Sequence, residues 1–145
     1  ELDITKLLEE EKHLIEEQVK MYHRFQPLVR EGDYYRIASW RENHRYDCWQ
    51  VVAKDKSEAL ITYVQVLAEP NWHSRKIRLK GLDPKAEYRL EEIEMEANHQ
   101  TKTGKTTADQ IYKGAFLMYG GLLIPRLTGD FMSKMIYLSD VRICR

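Results

Sequence analysis

Side chains able to do chemistry are few and scattered. His13, His23, His44, His73 and His99 lack the close spacing by which a helix face or a turn gathers metal ligands. His13 and His23 share a predicted helix but lie ten residues apart, and Glu11-Lys12-His13 is not the His-Glu-x-x-His of a zinc protease. Cys48 and Cys144, the only 2 cysteines, are too few for a disulfide framework or a four-thiolate zinc site, and they fit a reducing compartment. Cys48 sits in an apolar run between Asp47 and Trp49, where a buried, inert thiol is expected. Thr103-Gly104-Lys105-Thr106 has the look of a phosphate-loop ending, but His99 stands where the loop's first glycine belongs, and no strand-to-helix context surrounds it. No metal and no cofactor site is expected.

The carboxylates fall mainly on one predicted helix face or on strand faces such as Glu92, Glu94 and Glu96, which read as solvated. The aromatic residues leave two readings open. Trp40 and Trp72 lie in predicted loops among Arg41, Asn43, His44, Asn71, His73 and Arg75. An exposed tryptophan with polar neighbours can stack on the C–H face of a sugar ring; it can equally close a sandwich end or meet another domain, the reading favoured here. Trp49, within a strand, is expected in the core.

These residues must be positioned by elements of two periods. Residues 4–29 read as one amphipathic helix. Leu7, Leu14, Met21 and Leu28 recur every seven residues, and Leu8, Ile15, Tyr22 and Val29 follow beside them, joined by Ile4, Val19 and Phe25. Acidic residues early and basic residues late suit the helix dipole. Pro27 is expected to kink or end the helix, and Gly32 to stop it. A coiled coil is disfavoured, because the pattern lasts only about four heptads without opposed flanking charges.

After Gly32 the period becomes that of strands. Asp33–Ser39, Tyr46–Ala53 and Glu58–Leu67 are rich in β-forming residues, and the polar turn 54–57 makes Tyr46–Leu67 a hairpin. Leu60 to Val66 reads as a central strand covered on both faces. Gly81-Leu82-Asp83-Pro84 is a turn. Tyr88-Arg89-Leu90 and Ile93-Glu94-Met95 alternate with opposite parity, so a bulge or break is expected at Glu91-Glu92. Asn98–Ala108 reads as a polar loop, and Ile111–Ile124 and Phe131–Leu138 as closing strands. About seven or eight strands without a second helix make the fold mainly β: an antiparallel Greek-key-type β-sandwich preceded by one long N-terminal amphipathic helix.

Charge and length narrow the class. The 145 residues carry 23 Lys+Arg and 23 Asp+Glu, so the zero net charge gives no electrostatic footprint for nucleic acid. The longest uncharged apolar stretch, Ala115–Pro125, is too short to cross a membrane. No secretory leader and no Asn-x-Ser/Thr sequon occurs. Opening on Glu1 without methionine, the chain reads as a piece of something longer.

Several runs, in order, carry a family resemblance: Gly32-Asp33-Tyr34-Tyr35-Arg36-Ile37, Trp49 through Leu60, Val66 through Asn71, and Arg78 through Arg89, closing with Tyr112-Lys113-Gly114, Leu117-Met118 and Gly129 through Lys134. This order resembles the C-terminal part of the large α-galactosidases of glycoside hydrolase family 36. The resemblance implies a parent with an N-terminal β-sandwich, a catalytic (β/α)₈ barrel and this C-terminal sandwich. It implies that residues 1–32 are the barrel's last helix and residues 33–145 the sandwich domain. Leu7, Leu8, Leu14, Ile15, Met21, Tyr22, Phe25, Leu28 and Val29 would then face the barrel. The family works as a retaining hydrolase with two barrel aspartates, its nucleophile in a Lys-Trp-Asp run. No tryptophan here precedes an aspartate, so no catalytic residue carries over and the piece is expected to be inert alone.

Two departures from the family pattern stand out. Leu8 occupies the place of the usual serine N-cap, so Thr5 or Asp3 is expected to cap one turn earlier. Gly114-Ala115-Phe116-Leu117-Met118 replaces a Gly-Asp-Glu-Leu-Met run. The expected role is structural, in a parent cleaving melibiose- and raffinose-type α-galactosides in the bacterial cytoplasm. The expected partners are the barrel of the same chain and further copies in a homo-oligomer. The alternative is a carbohydrate-binding module using Trp40 or Trp72.

Overall fold

A computed structural model describes residues 5, 7–68, 74–93, 110–125 and 127–143. The apolar helical pattern becomes α1, Glu9–Glu31, followed by β1 (Asp33–Ala38), a one-turn helix α2 (Trp40–Asn43), β2 (Tyr46–Val52) and β3 (Glu58–Gln65). After these come β4 (Arg75–Ile77), β5 (Glu87–Ile93), β6 (Ile111–Lys113), a π-helical turn (Phe116–Gly120), β7 (Leu122–Ile124) and β8 (Met132–Asp140).

The helix differs from its sequence expectation at both ends. Its N-cap is Leu8, not Thr5 or Asp3; the Leu8 N–H donates to Glu11 Oε2 at 2.9 Å, so the glutamate half of a capping box works without a capping hydroxyl. At the other end Pro27 neither stops α1 nor shortens it, since the helix runs four residues further to Glu31. Phe25 and Leu28, either side of the proline, are both buried. Full burial of each such side chain is worth about 1.5–3 kcal/mol, enough to offset an interior proline's cost of about 3 kcal/mol. Gly32 follows the helix in extended conformation, and only glycine fits there: a Cβ would lie 2.6 Å from Val51 Cγ1 and 2.8 Å from the Val52 carbonyl oxygen.

The strands form a six-stranded antiparallel sheet in the order β1-β2-β3-β8-β5-β6 and a two-stranded sheet β4-β7. The chain leaves the large sheet for the small one at β4, returns at β5, and repeats the excursion through β7. Its last strand, β8, thereby pairs between β3 and β5. The β2–β3 hairpin forms as expected; Asp55 Oδ1 accepts from the Ser57 N–H at 2.9 Å and from Ser57 Oγ at 2.6 Å, an Asx-type turn. Between the sheets Cys48, Val52, Ala59, Ile61, Tyr63, Tyr88, Leu90, Ile136 and Leu138 meet Ile77, Leu122 and Ile124 in one core. Gln50, fully buried in it, holds the chain after β4 by accepting from the Lys80 N–H at 2.9 Å and donating to the Lys80 carbonyl at 2.6 Å.

Three local expectations need correction. No bulge interrupts β5 at Glu91-Glu92: Tyr88 to Ile93 pairs residue for residue with β8. The parity conflict resolves because both faces of this strand are covered. Glu92 turns to the inner face, its carboxylate 2.7 Å from Lys134 Nζ, while Ile93 packs on the side of α1. The sheet's irregularity lies in β1, between Arg36 and Ala38. Ile111–Ile124 is not continuous strand, since its middle winds into the π-helical turn. Trp49 is half-buried on the outer face rather than in the core, because it shares parity with Val51 and not with Cys48 and Gln50.

Candidate functional site

Among the described residues, an extensive apolar surface feature lies where α1 crosses the outer face of the large sheet. α1 turns Met21, Phe25 and Leu28 onto Val51, Leu60, Met135, Tyr137 and Ile93. The Phe25 and Tyr137 rings sit 5.4 Å apart, tilted by 52°. Arg24 locks the seam with a fork of bonds to Glu91, Nη1 to Oε1 at 2.9 Å and Nη2 to Oε2 at 2.7 Å. Its guanidinium lies 4.8 Å from the Phe25 ring centre and 5.1 Å from that of Tyr137. Hydrogen bonding to Arg24 holds the Glu91 carboxyl below its usual range. Tyr137 completes the set, its hydroxyl donating to Glu58 Oε2 at 2.6 Å.

The apolar stripe does not all face this seam. At 3.6 residues per turn, Met21, Phe25 and Leu28 centre on one line, and Leu8, Ile15, Tyr22 and Val29 on a second, roughly 100° round the helix. Phe25 and Leu28 are 5% exposed, whereas Tyr22 is 60%, Val29 55% and Leu8 70% exposed. Leu7, Leu14 and Ile15 are half-buried. Tyr22 and Val29, together with the seam residues Met21 and Phe25, line a groove of about 510 Å³ against Leu60 and Met135, with Gln18, Gln26 and Arg30 among its lining.

Comparison with known proteins places the chain. Residues 46–138 match the glycosyl hydrolase family 36 C-terminal domain. The chain belongs to this family. The domain is 38% identical to alpha-galactosidase AgaA of Geobacillus stearothermophilus over 98% of its own length, which is 17% of that enzyme's. It is 30% identical to alpha-galactosidase Mel36A of Lactobacillus acidophilus over 97% of its length, again 17% of the relative's. Its structure superposes on GH36 alpha-galactosidase AgaB of Geobacillus stearothermophilus with a TM-score of 0.78 at 38% identity, covering 97% of this chain and 17% of that one. The alpha-galactosidase of Lactobacillus brevis gives 0.78 at 27% identity, covering 97% and 18%. The domain thus spans about a sixth of the relatives it matches.

The individual candidate residues of this family 36 domain are not brought together. Trp40 opens α2, 39% exposed, its ring edge-on to His44 with centroids 5.9 Å apart. Trp72, Cys144 and the 98–108 loop lie outside the described residues. Cys48 is fully buried, and desolvation pushes its thiol up to about 12, as expected of an inert core cysteine. Among the described residues no group of three or more His, Cys, Asp or Glu could hold a metal ion. The domain's most elaborate polar cluster closes the C-terminal end of the sheet. There the buried Asp140 carboxylate accepts from Arg142 Nε at 3.0 Å and Nη2 at 2.6 Å, and Arg142 Nη2 reaches Asp83 Oδ2 at 3.3 Å. It pins the end of β8 rather than facing a cleft.

Sequence reasoning missed this cluster and the Arg24–Glu91 lock: Arg24 and Glu91 lie 67 residues apart and Asp83 and Arg142 59, while Asp140 and Arg142, two apart, form no motif that marks them. The division of the stripe was present as its paired heptads, but period alone does not say which line meets which surface.

Proposed function

We propose that this domain is the non-catalytic C-terminal β-sandwich of a retaining α-galactosidase whose parent cleaves terminal α-galactosides such as melibiose and raffinose. In this reading residues 1–32 supply the last helix of the catalytic barrel and residues 33–145 the sandwich. The domain's work is structural, bracing the barrel and contributing to contacts within a homo-oligomer in the bacterial cytoplasm. The observation that carries the reading is the match to AgaA over 98% of this chain within 17% of that enzyme. The described residues offer no nucleophile with an acid–base partner in a cleft, which suits a supporting part. A solved AgaA variant is in complex with raffinose, in keeping with the proposed substrate class.

The test is hydrolysis of a chromogenic α-galactoside by the 145-residue chain and by the whole polypeptide that contains it. The whole protein is expected to turn over and the isolated chain to give no rate above buffer. Turnover by the isolated chain, or none by the whole protein, overturns the proposal.

A further inference from the structure

We infer that the seam between the two sheets carries a binding site for a compact phosphate-bearing anion, held by Lys76, Arg78 and Lys80. The site stands on residues remote from α1 and does not depend on the functional reading above.

The row of cations arises from alternation along the chain. Ile77 and Leu79 are buried in the core, so Lys76, Arg78 and Lys80 are left exposed together. Their backbone is held firmly. Arg75 to Ile77 pairs with β7, the Leu79 N–H donates to the Leu117 carbonyl at 3.1 Å, and buried Gln50 clamps Lys80 at both its N–H and its carbonyl. Cations on so fixed a backbone are ordered before a ligand arrives, which lowers the entropic cost of binding.

These side chains border a groove of about 480 Å³, whose apolar part is Ile37, Ile77 and Tyr46 and whose wall at Gly120 adds no side chain. The edge of the large sheet is shaped to it. The register of β1 shifts between Arg36 and Ala38, and Ile37, the residue left over, lines the groove. The Arg36 carbonyl beside it accepts from Lys80 Nζ at 3.3 Å, which leaves the rest of that ammonium's donors for a ligand. Tyr46 is fixed between the Tyr63 ring, stacked at 5.2 Å, and the Arg75 guanidinium, 4.1 Å from its ring centre and a further cation at the margin.

Charge decides the ligand. Among the described residues no carboxylate lines the groove, and Lys76 and Arg78 form no ion pair. Asp47, next to Tyr46 in the chain, is occupied by Arg36 Nη1 at 3.2 Å and by the Trp40 N–H at 3.0 Å. In a chain of zero net charge, clustered cations without a counterion are a local excess that a multivalent anion neutralises. Arg78 supplies a planar fork that can grip two oxygens of a phosphate, and the two lysines add point charges. A groove of this size has room for a small organic group beside the phosphate, so free phosphate and the phosphate ester of a sugar are the two sources.

Calorimetric titration of the whole polypeptide at low ionic strength with inorganic phosphate, glucose 6-phosphate and glucose tests this. Both phosphates are expected to bind saturably, and added glucose to leave their binding unchanged. Lys76→Gln with Arg78→Gln is expected to weaken binding about tenfold. The thermal midpoint of the unliganded protein should not move, since both side chains are exposed. Raising NaCl from about 50 to about 200 mM is expected to weaken binding several-fold. Equal affinity for the two phosphates assigns the site to free phosphate, and tighter glucose 6-phosphate assigns it to the ester; either result supports the inference. No saturable binding of either phosphate overturns it, as does binding that the double substitution or the added salt leaves unchanged. Binding of an oligoglutamate peptide while neither phosphate binds would make the row a protein contact and overturn it equally.

Discussion

The two faces of the large sheet carry similar side chains and meet different fates. On the inner face Ile61, Ile136 and Leu138 are closed over by the small sheet, and all three are 2% exposed or less. On the outer face Leu60, Val51 and Met135 are covered by Met21, Phe25 and Leu28 of α1, beside which a groove remains open. Apolar alternation on a strand states only that a face wants cover. Whether the cover comes from the same 145 residues is a matter of how many elements the chain has left to supply. Among the described residues the inner face is closed over by the small sheet, while α1 covers the outer face only in part.

Substitutions can break or sharpen that contrast. The largest effect is expected at the closed face: Ile61→Ala should lower the stability of the 145-residue chain by about 2–5 kcal/mol, read by denaturant titration. If the loss is under about 1 kcal/mol, the inner face is not the completed core described here. Phe25→Ala at the half-closed seam comes next, with an expected cost of about 1–3 kcal/mol, because the adjoining groove lets the site relax. A cost equal to that of Ile61→Ala would mean that the seam is as enclosed as the core.

The polar latch of the closed face adds a smaller, pH-dependent increment. Hydrogen bonds from Arg142 hold the Asp140 carboxyl below its ordinary value, so the folded chain gives up this proton more readily than the unfolded chain. The resulting stabilisation is complete above the unfolded carboxyl's value, near about 4, and is lost as pH falls through the lower folded value. Asp140→Asn is expected to lower the melting midpoint at pH 7 and to flatten its decline on acidification. An unchanged acid profile in the variant would remove Asp140 from that role. The smallest effect belongs to the open line: Val29→Ala should move the stability of the 145-residue chain by no more than about 0.5 kcal/mol, measured in the same titration.

Much of this was legible in local pattern. The β2–β3 hairpin was written in Lys54-Asp55-Lys56-Ser57 between two β-forming runs, and the double cover of β3 in a stretch apolar at nearly every position. The turn at Gly81 was legible too; its φ of 71° suits glycine, and a Cβ there would lie 2.6 Å from the Tyr35 ring. Where pattern misled, long-range contact had overruled it. Pro27 predicted a kink or an end near the close of a helix over 4–29, and burial of Phe25 and Leu28 carried the helix on to Glu31. The parity change at Glu91-Glu92 predicted a bulge, but Lys134 across the sheet and α1 above it gave each parity a place to go.

The long helix, the β2–β3 hairpin and the family were legible from local pattern, since helix period, strand alternation, turn residues and ordered runs are all properties of neighbours along the chain. The tertiary structure alone decided how the stripe of α1 divides. Eleven apolar residues at helical spacing describe a broad face but not a rotation. The rotation follows from Phe25 and Leu28 burying against Val51, Leu60 and Tyr137, with Glu91 reaching Arg24 at the edge, and these partners come together only when β2, β3, β5 and β8 pair. A direction in space depends on contacts between distant segments, and those exist only once the chain has folded.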